Sequence, residues 1–200
     1  MGWLTLGLSE NVVLRESMLR HQLFGYLVNY HSNDLIVEMW KGWWIKPGDQ
    51  KQQYLFFREF DIARFEKTQY GMVLTGYEIK GMQKKGTKVS FPPFGAGLDQ
   101  ALCLLMQGAD YSYLVTPEPS NEEAKTALAT LCDRFTNVGL MFPAVDGERR
   151  EIVGWQTRIK AKQNSNTSEN LKKNMLTFLM ASGQRGRMIH APSWTKELMK

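Results

Sequence analysis

The stretch from residue 35 to residue 81 constrains the fold more than any other part of the chain. It holds three runs rich in aromatic and β-branched residues, joined by connections too short for a crossover. Leu35–Lys46 ends at the turn Pro47-Gly48-Asp49, and the run YLFFREFDIARFE, ending at Glu66, meets a polar loop at Lys67–Gln69. Tyr70–Gly81 then reads YGMVLTGYEIKG. Three such runs in succession predict an antiparallel meander.

Helical patterns flank the meander. Over residues 9–30, Val12, Leu19, Leu23 and Leu27 recur at helical spacing, with Ser9 placed to cap and Glu10 in the first turn. After it the pattern predicts a helix from about Leu98 to Gln107, a strand at Tyr111–Thr116, and a helix at Glu122–Phe135 capped by Asn121. A strand at Val138–Phe142 and a hairpin through Asp146-Gly147 into Glu151–Lys160 follow. KQNSNTSEN, residues 162–170, is linker-like; Leu171–Ala181 is helical and the chain end irregular. The order α-β-β-β-α-β-α-β-β predicts an α/β protein with a single mixed sheet flanked by helices. Residues 1–161 read as its core and 162–200 as a basic linker and C-terminal helical tail.

Composition narrows the function classes. With 43% hydrophobic and 22% charged residues, the chain of 200 is globular, not disordered or fibrous. No apolar run approaches the roughly 18 residues of a membrane span, and the start MGWLTLGLSENVV lacks the basic and long apolar regions of a signal peptide. A cytoplasmic location is expected. Cys103 and Cys132 lie in apolar helical stretches and read as reduced core residues, while His21, His31 and His190 have no zinc-type spacing.

The net charge of +5 is unevenly spread: residues 1–150 hold 16 Lys and Arg against 17 Asp and Glu, and residues 151–200 hold 9 against 3. A basic last quarter on a near-neutral body suits either a polyanion partner or a solvated tail.

The chemistry concentrates where two strands of the meander meet. Period-two geometry sets Glu78 and Lys80 on one face of their strand and Tyr77 and Ile79 on the other. Asp61, on the neighbouring strand, can point into the same space. Two close carboxylates repel unless a cation lies between them, and oxygen ligands suit Mg²⁺ or Mn²⁺. A lysine beside such an ion can orient or deprotonate water and stabilise charge on a phosphoryl group. The acid-x-Lys pattern also occurs at Asp49-Gln50-Lys51 and Glu123-Ala124-Lys125, but in a turn and in a helix. Only Glu78-Ile79-Lys80 ends an apolar strand. The plain alternative is a solvated cross-strand ion pair.

In this order and context the chain resembles the PD-(D/E)XK nuclease superfamily. Phe60-Asp61 falls at the first-aspartate position, Glu78-Ile79-Lys80 at the second motif, and Asp99-Gln100-Ala101 opens the following helix, where members often carry glutamine. Glu16 matches the extra acid of the first helix, with Glu10 as the alternative, and Glu59 competes with Asp61. Ala109-Asp110-Tyr111 through Leu114-Val115-Thr116-Pro117 looks like the helix-to-strand segment of archaeal and bacterial members. Phe60 stands where the family name has proline. The resemblance spans roughly residues 10–145 and implies a restriction-endonuclease-like α-β-β-β-α-β core. It further implies a metal-dependent DNA endonuclease in which Asp61, Glu78 and the Ile79 carbonyl bind Mg²⁺ or Mn²⁺. Lys80 would act on the attacking water, Glu16 would assist the metal or its water, and Gln100 would position Lys80 or the phosphate. The fold also hosts non-cleaving members, so a nucleic-acid-binding or assembly module is the second expectation.

Lys84, Lys85 and Lys88 form a lysine-dense loop suited to phosphates beside a scissile bond, or simply to solvent. Lys172, Lys173, Arg185 and Arg187 resemble a DNA-contacting arm, with RNA as a further polyanion. Leu171, Met175, Phe178 and Leu179 also give that segment an apolar stripe for a partner protein or a second protomer. Trp40, Trp43 and Trp44 suit hairpin packing or a subunit contact better than base stacking. Gly95-Ala96-Gly97 reads as a plain helix start.

Overall fold

The computed structural model describes residues 13–38, 60–85, 88–90, 94–149, 151–167, 169, 172, 173, 176 and 188–199. The first helix, α1, spans Glu16–Tyr30 and buries Leu19, Leu23, Phe24 and Leu27 on one stripe. Burying each such side chain contributes about 1.5–3 kcal/mol. The helix begins at Glu16, not at Ser9: residues 13–15 are non-helical, and Arg15 is extended. The reason is tertiary. The Met82 N–H donates to Leu14 O at 2.8 Å, tying the chain before α1 to the chain leaving the third strand.

The meander follows as β1 (Leu35–Glu38), β2 (Ile62–Thr68) and β3 (Gly71–Ile79), paired antiparallel in sequence order. Strand β2 runs to Thr68, further than expected, because a two-residue turn at Gln69-Tyr70 suffices. Gly71 takes a φ of 137°, and Thr68 Oγ1 both donates to Gly71 O and accepts from Tyr70 N–H. A small hairpin, β4 (Gln83–Lys85) and β5 (Lys88–Ser90), leads to α2 (Phe94–Met106). Helix α2 thus begins four residues earlier than the apolar pattern suggests, with Gly97 inside it.

Two crossovers complete the sheet. Strand β6 (Tyr111–Val115) lies parallel to β3, and α3 (Glu122–Thr130) leads to β7 (Gly139–Asp146), parallel to β6. Asn121 caps α3 as expected, its side chain accepting from Glu123 N–H at 2.7 Å and Ala124 N–H at 3.3 Å. A π-helical turn, Leu131–Phe135, continues α3. Strand β8 (Glu151–Ile159) returns antiparallel on β7, and the two-residue β9 (Ile189–His190) pairs with β1. The mixed seven-stranded sheet has the order β8-β7-β6-β3-β2-β1-β9. Register shifts in the β7–β8 ladder interrupt the long outer strand, and β9 is short; both blunt the sheet edges against stray pairing.

Alternation along the strands feeds two layers. Ile36, Ile62, Tyr77, Ile79, Val115 and Met141 pack with α1. Their neighbours pack on the other face, Leu35, Val37, Phe65 and Leu74 with Leu104 of α2, and Leu114, Leu140 and Phe142 with Ala101, Leu105 and Leu128. The fold is α/β, with one mixed sheet packed against helices α1, α2 and α3.

The boundary drawn at 161/162 is crossed by the chain beyond it. Strand β9 joins the sheet, Leu176 enters the core cluster beside Leu104, and Trp194 Nε1 donates to Asn33 O at 2.7 Å. The irregular end expected from the sequence includes β9 and a 3-10 helix at Ser193–Met199. No described helix is long and apolar enough to cross a membrane.

Candidate active site

The alternation of β3 is as expected. Tyr77 and Ile79 pack toward α1, and Gly76, Glu78 and Lys80 share the opposite face. The Lys80 ammonium is paired with Glu78 Oε1, and the Lys80 backbone N–H is fixed by Val115 O of β6 at 2.8 Å. Asp61 occupies a bend immediately before β2 instead of a strand position. It still reaches the site. Ile62 pairs with Tyr77, so the next pair outward is Asp61 and Glu78, and the Ile79 N–H donates to Asp61 Oδ2 at 2.7 Å.

Close packing sets both helices against this strand end. A Cβ at Gly81 would lie 2.0 Å from the Glu16 backbone nitrogen, so only glycine lets the start of α1 rest on the end of β3. A Cβ at Gly97 would lie 2.8 Å from Lys80 Cγ, and one at Gly76 would lie 2.9 Å from Leu104 Cδ1. Helix α2 therefore runs antiparallel to β3, with Gly97 at Lys80 and Leu104 at Gly76. Gln100, on the stripe between them, comes level with Glu78. Its Oε1 is buried without a hydrogen-bond partner.

Two participants were not found from the sequence. Arg20 of α1 donates from Nε to Glu38 Oε1 at 3.0 Å and from Nη1 to Asp61 Oδ1 at 3.2 Å. The Glu38 side chain is only 5% exposed and that of Arg20 11%. The available signals were faint: Arg20 lies one helical turn beyond Glu16, and Glu38 closes the otherwise apolar run Leu35-Ile36-Val37.

Burial and crowding shape the charges. Burial pushes the Asp61 carboxyl up to about 6; the Ile79 N–H, Lys80 and Arg20 oppose the rise, and the charge of Glu16 adds to it. Burial also pushes Glu78 up to about 8, with the Asp61 charge adding and Lys80 opposing. Asp61, Glu78, Lys80 and Glu16 thus share one electrostatic site, with Gln100 alongside. No group of three or more His, Cys, Asp or Glu side chains suited to a metal occurs among the described residues. Asp61 and Glu78 supply two carboxylates, and the third expected ligand is the backbone carbonyl of Ile79.

The basic residues divide. Lys84 and Lys85 lie on β4 and Lys88 on β5, with Lys85 paired to Lys88 in register, a few residues past Lys80. Lys173 is exposed. Lys172 is not part of a DNA-facing arm: its side chain is 2% exposed, and its ammonium binds both Asp110 oxygens at 3.0 Å, Met72 O at 2.7 Å and Glu169. Asp110 in turn accepts the Leu74 N–H at 2.6 Å, so the pair fastens the C-terminal segment to β3. Arg185, Arg187, Trp40, Trp43, Trp44, Glu10 and Glu59 lie outside the described residues.

Cys132 is buried and Cys103 partly so; both are free thiols, and burial pushes the Cys132 thiol up to about 11. A groove of about 650 Å³ lies at the far end of α2, lined by Leu102, Met106, Asp133, Arg134, Lys162 and Asn164 among others. It includes none of the residues selected from the sequence.

The chain matches no protein-family model, and comparison with curated proteins and with solved structures gives no significant match.

Proposed function

We infer that the chain is a metal-dependent nuclease of the PD-(D/E)XK type, hydrolysing DNA phosphodiester bonds on a restriction-endonuclease-like core. The observation that carries this reading is the pair Asp61 and Glu78. Glu78 is buried at the end of β3 and Asp61 is largely buried in the bend before β2, each held well above its ordinary range, with Lys80 on Glu78. A site that gathers carboxylates out of water and lifts their affinity for protons favours any cation able to displace those protons.

The donor set fits Mg²⁺ or Mn²⁺, because it consists of hard oxygens without thiolate or imidazole. Asp61, Glu78 and the Ile79 carbonyl would hold the ion. Bound there, it would supply Lewis acidity toward a phosphoryl oxygen and acidify the attacking water. Lys80 orients that water and offsets negative charge accumulating on the phosphorus oxygens. Glu16 adds a negative charge at the same end to assist the ion or its water, and Gln100 has a free carbonyl oxygen with which to hold the Lys80 ammonium or the water. Lys84, Lys85, Lys88 and Lys173, with Arg185 and Arg187, provide contacts to flanking phosphates.

A panel of single-stranded, duplex and branched DNA and RNA, incubated with Mg²⁺ or Mn²⁺, tests the proposal. Cleavage is expected to stop with EDTA and to be lost in Asp61→Ala, Glu78→Ala and Lys80→Ala. Three variants that cut as fast as wild type would remove it. The second reading, a non-cleaving binding or assembly module, is favoured by one observation: Lys80 and Arg20 already neutralise the carboxylates by direct pairing. It predicts salt-sensitive DNA binding with no turnover on any substrate.

A further inference from the structure

We propose that Arg20 is a fixed counter-ion that restricts this site to a single divalent cation. The inference rests on the nuclease reading above and goes beyond it in stoichiometry. Arg20 spans Glu38 and Asp61 from α1, binding Glu38 Oε1 at 3.0 Å and Asp61 Oδ1 at 3.2 Å.

Charge balance supports a single ion. The carboxylates of Glu38, Asp61 and Glu78 pair with two fixed cations, Arg20 and Lys80, and the charge of Glu16 acts on both Asp61 and Glu78, so that four carboxylates and two cations share one electrostatic cluster. Fully ionised, the cluster carries a net charge of −2, which one divalent ion neutralises. A second ion would leave the same excess of positive charge in a largely buried space.

Geometry points the same way. Paired ions about 3.5–4 Å apart are normally bridged by a carboxylate that offers one oxygen to each. An ion on Asp61 Oδ1 would lie against the Arg20 guanidinium, 3.2 Å from that oxygen, whereas Oδ2 keeps a lone pair for one ion beside its bond from the Ile79 N–H. Glu38, the other carboxylate that Arg20 binds, is likewise committed to it. The guanidinium therefore stands where a second cation would need to collect its ligands. Arginine suits this task because its planar fork reaches two carboxylates and keeps its charge at every accessible pH.

The test is Mn²⁺ binding to the full chain without DNA, read by calorimetric stoichiometry and by electron paramagnetic resonance. Wild type should bind one ion with the spectrum of an isolated Mn²⁺. Two ions with a spin-coupled spectrum would overturn the proposal. Absence of any binding would overturn the nuclease reading and this inference with it. Arg20→Gln frees Asp61 Oδ1 and Glu38, and is expected to admit a second, spin-coupled ion. A folded Arg20→Gln protein that still takes one ion with unchanged affinity would overturn the assignment. If circular dichroism shows that Arg20→Gln does not fold, Glu38→Gln decides. It leaves the Arg20 charge uncompensated beside Asp61, and should weaken Mn²⁺ binding by about tenfold or more. Unchanged affinity in Glu38→Gln would overturn the proposal.

Discussion

The backbone N–H of Ile79 donates to Asp61 Oδ2 at 2.7 Å, so the aspartate before β2 is fastened to the middle residue of Glu78-Ile79-Lys80. The hydrogen bond holds Asp61 in place although its residue lies on a bend, and it brings a second carboxylate to Glu78 at the end of β3.

That crowding sets the dependence of stability on pH. The folded-state values of Asp61 and Glu78, about 6 and about 8, lie above their ordinary 3.8 and 4.5. The native protein therefore binds more protons than the unfolded chain between these limits, and stability falls as pH rises. The contribution is fully present below about pH 4 and is lost as pH passes through 6 for Asp61 and 8 for Glu78. In EDTA, the melting temperature attributable to this site should decline from about pH 5 to about pH 8. Saturating Mn²⁺ should cancel the decline, since the ion requires the ionised carboxylates. In Asp61→Asn/Glu78→Gln the slope should largely vanish, and a slope equal to that of wild type would place its origin elsewhere.

Gly81 and Gly97 make different demands. The Cβ of Gly81→Ala would lie 2.0 Å from Glu16 N and 2.5 Å from Arg15 C, both backbone atoms. Helix α1 would have to move off the strand end, and a loss of about 3 kcal/mol or more is expected in denaturant unfolding. At Gly97 the obstacles are side-chain atoms, Lys80 Cγ and Leu114 Cδ1, both at 2.8 Å. Gly97→Ala should therefore cost less stability, about 1–2 kcal/mol, while displacing Lys80 and lowering cleavage.

Local periodicity made the central part of this site legible. Glu78 and Lys80 share a face because side chains alternate along a strand, and Asn121 caps α3 because of its place before Glu122 and Glu123. Less was legible where distant segments decide the outcome. The start of α1 depends on Met82 and Gly81, some 65 residues away, and not on the cap chemistry of Ser9. Arg20 and Glu38 join the site through contacts spanning 18 and 41 residues of sequence. Lys172 misled for the same reason: a lysine in a basic segment reads as exposed until Asp110, 62 residues earlier, is found beneath it.

Lys172 and its neighbour Lys173 should consequently behave differently. Removing one member of a buried ion pair leaves the other charge without compensation, at a cost of about 3–5 kcal/mol. Lys172→Met should approach that loss in urea unfolding, with Asp110 keeping the Leu74 N–H but losing its buried ammonium. Lys173→Ala, at an exposed position, should stay within about 0.5 kcal/mol of wild type. Equal stability of the two variants would contradict the buried pairing.

Gln100 separates function from stability most sharply. Its Oε1 is buried without a partner, an arrangement that costs about 1–3 kcal/mol of desolvation with no hydrogen bond in return. A residue present only for packing would be better as methionine, which matches glutamine in length and has no carbonyl to satisfy. Gln100→Met should leave the melting temperature unchanged or raise it, because the unsatisfied oxygen disappears. The same change should lower Mg²⁺-dependent cleavage by about tenfold or more, since the group placed level with Glu78 to hold the Lys80 ammonium or the water is gone. Gln100→Glu gives the complementary result: a further carboxylate beside Glu78 should destabilise the metal-free protein and tighten Mn²⁺ binding. If Gln100→Met is stabilised and cleaves at the wild-type rate, the glutamine belongs to the core and not to the site.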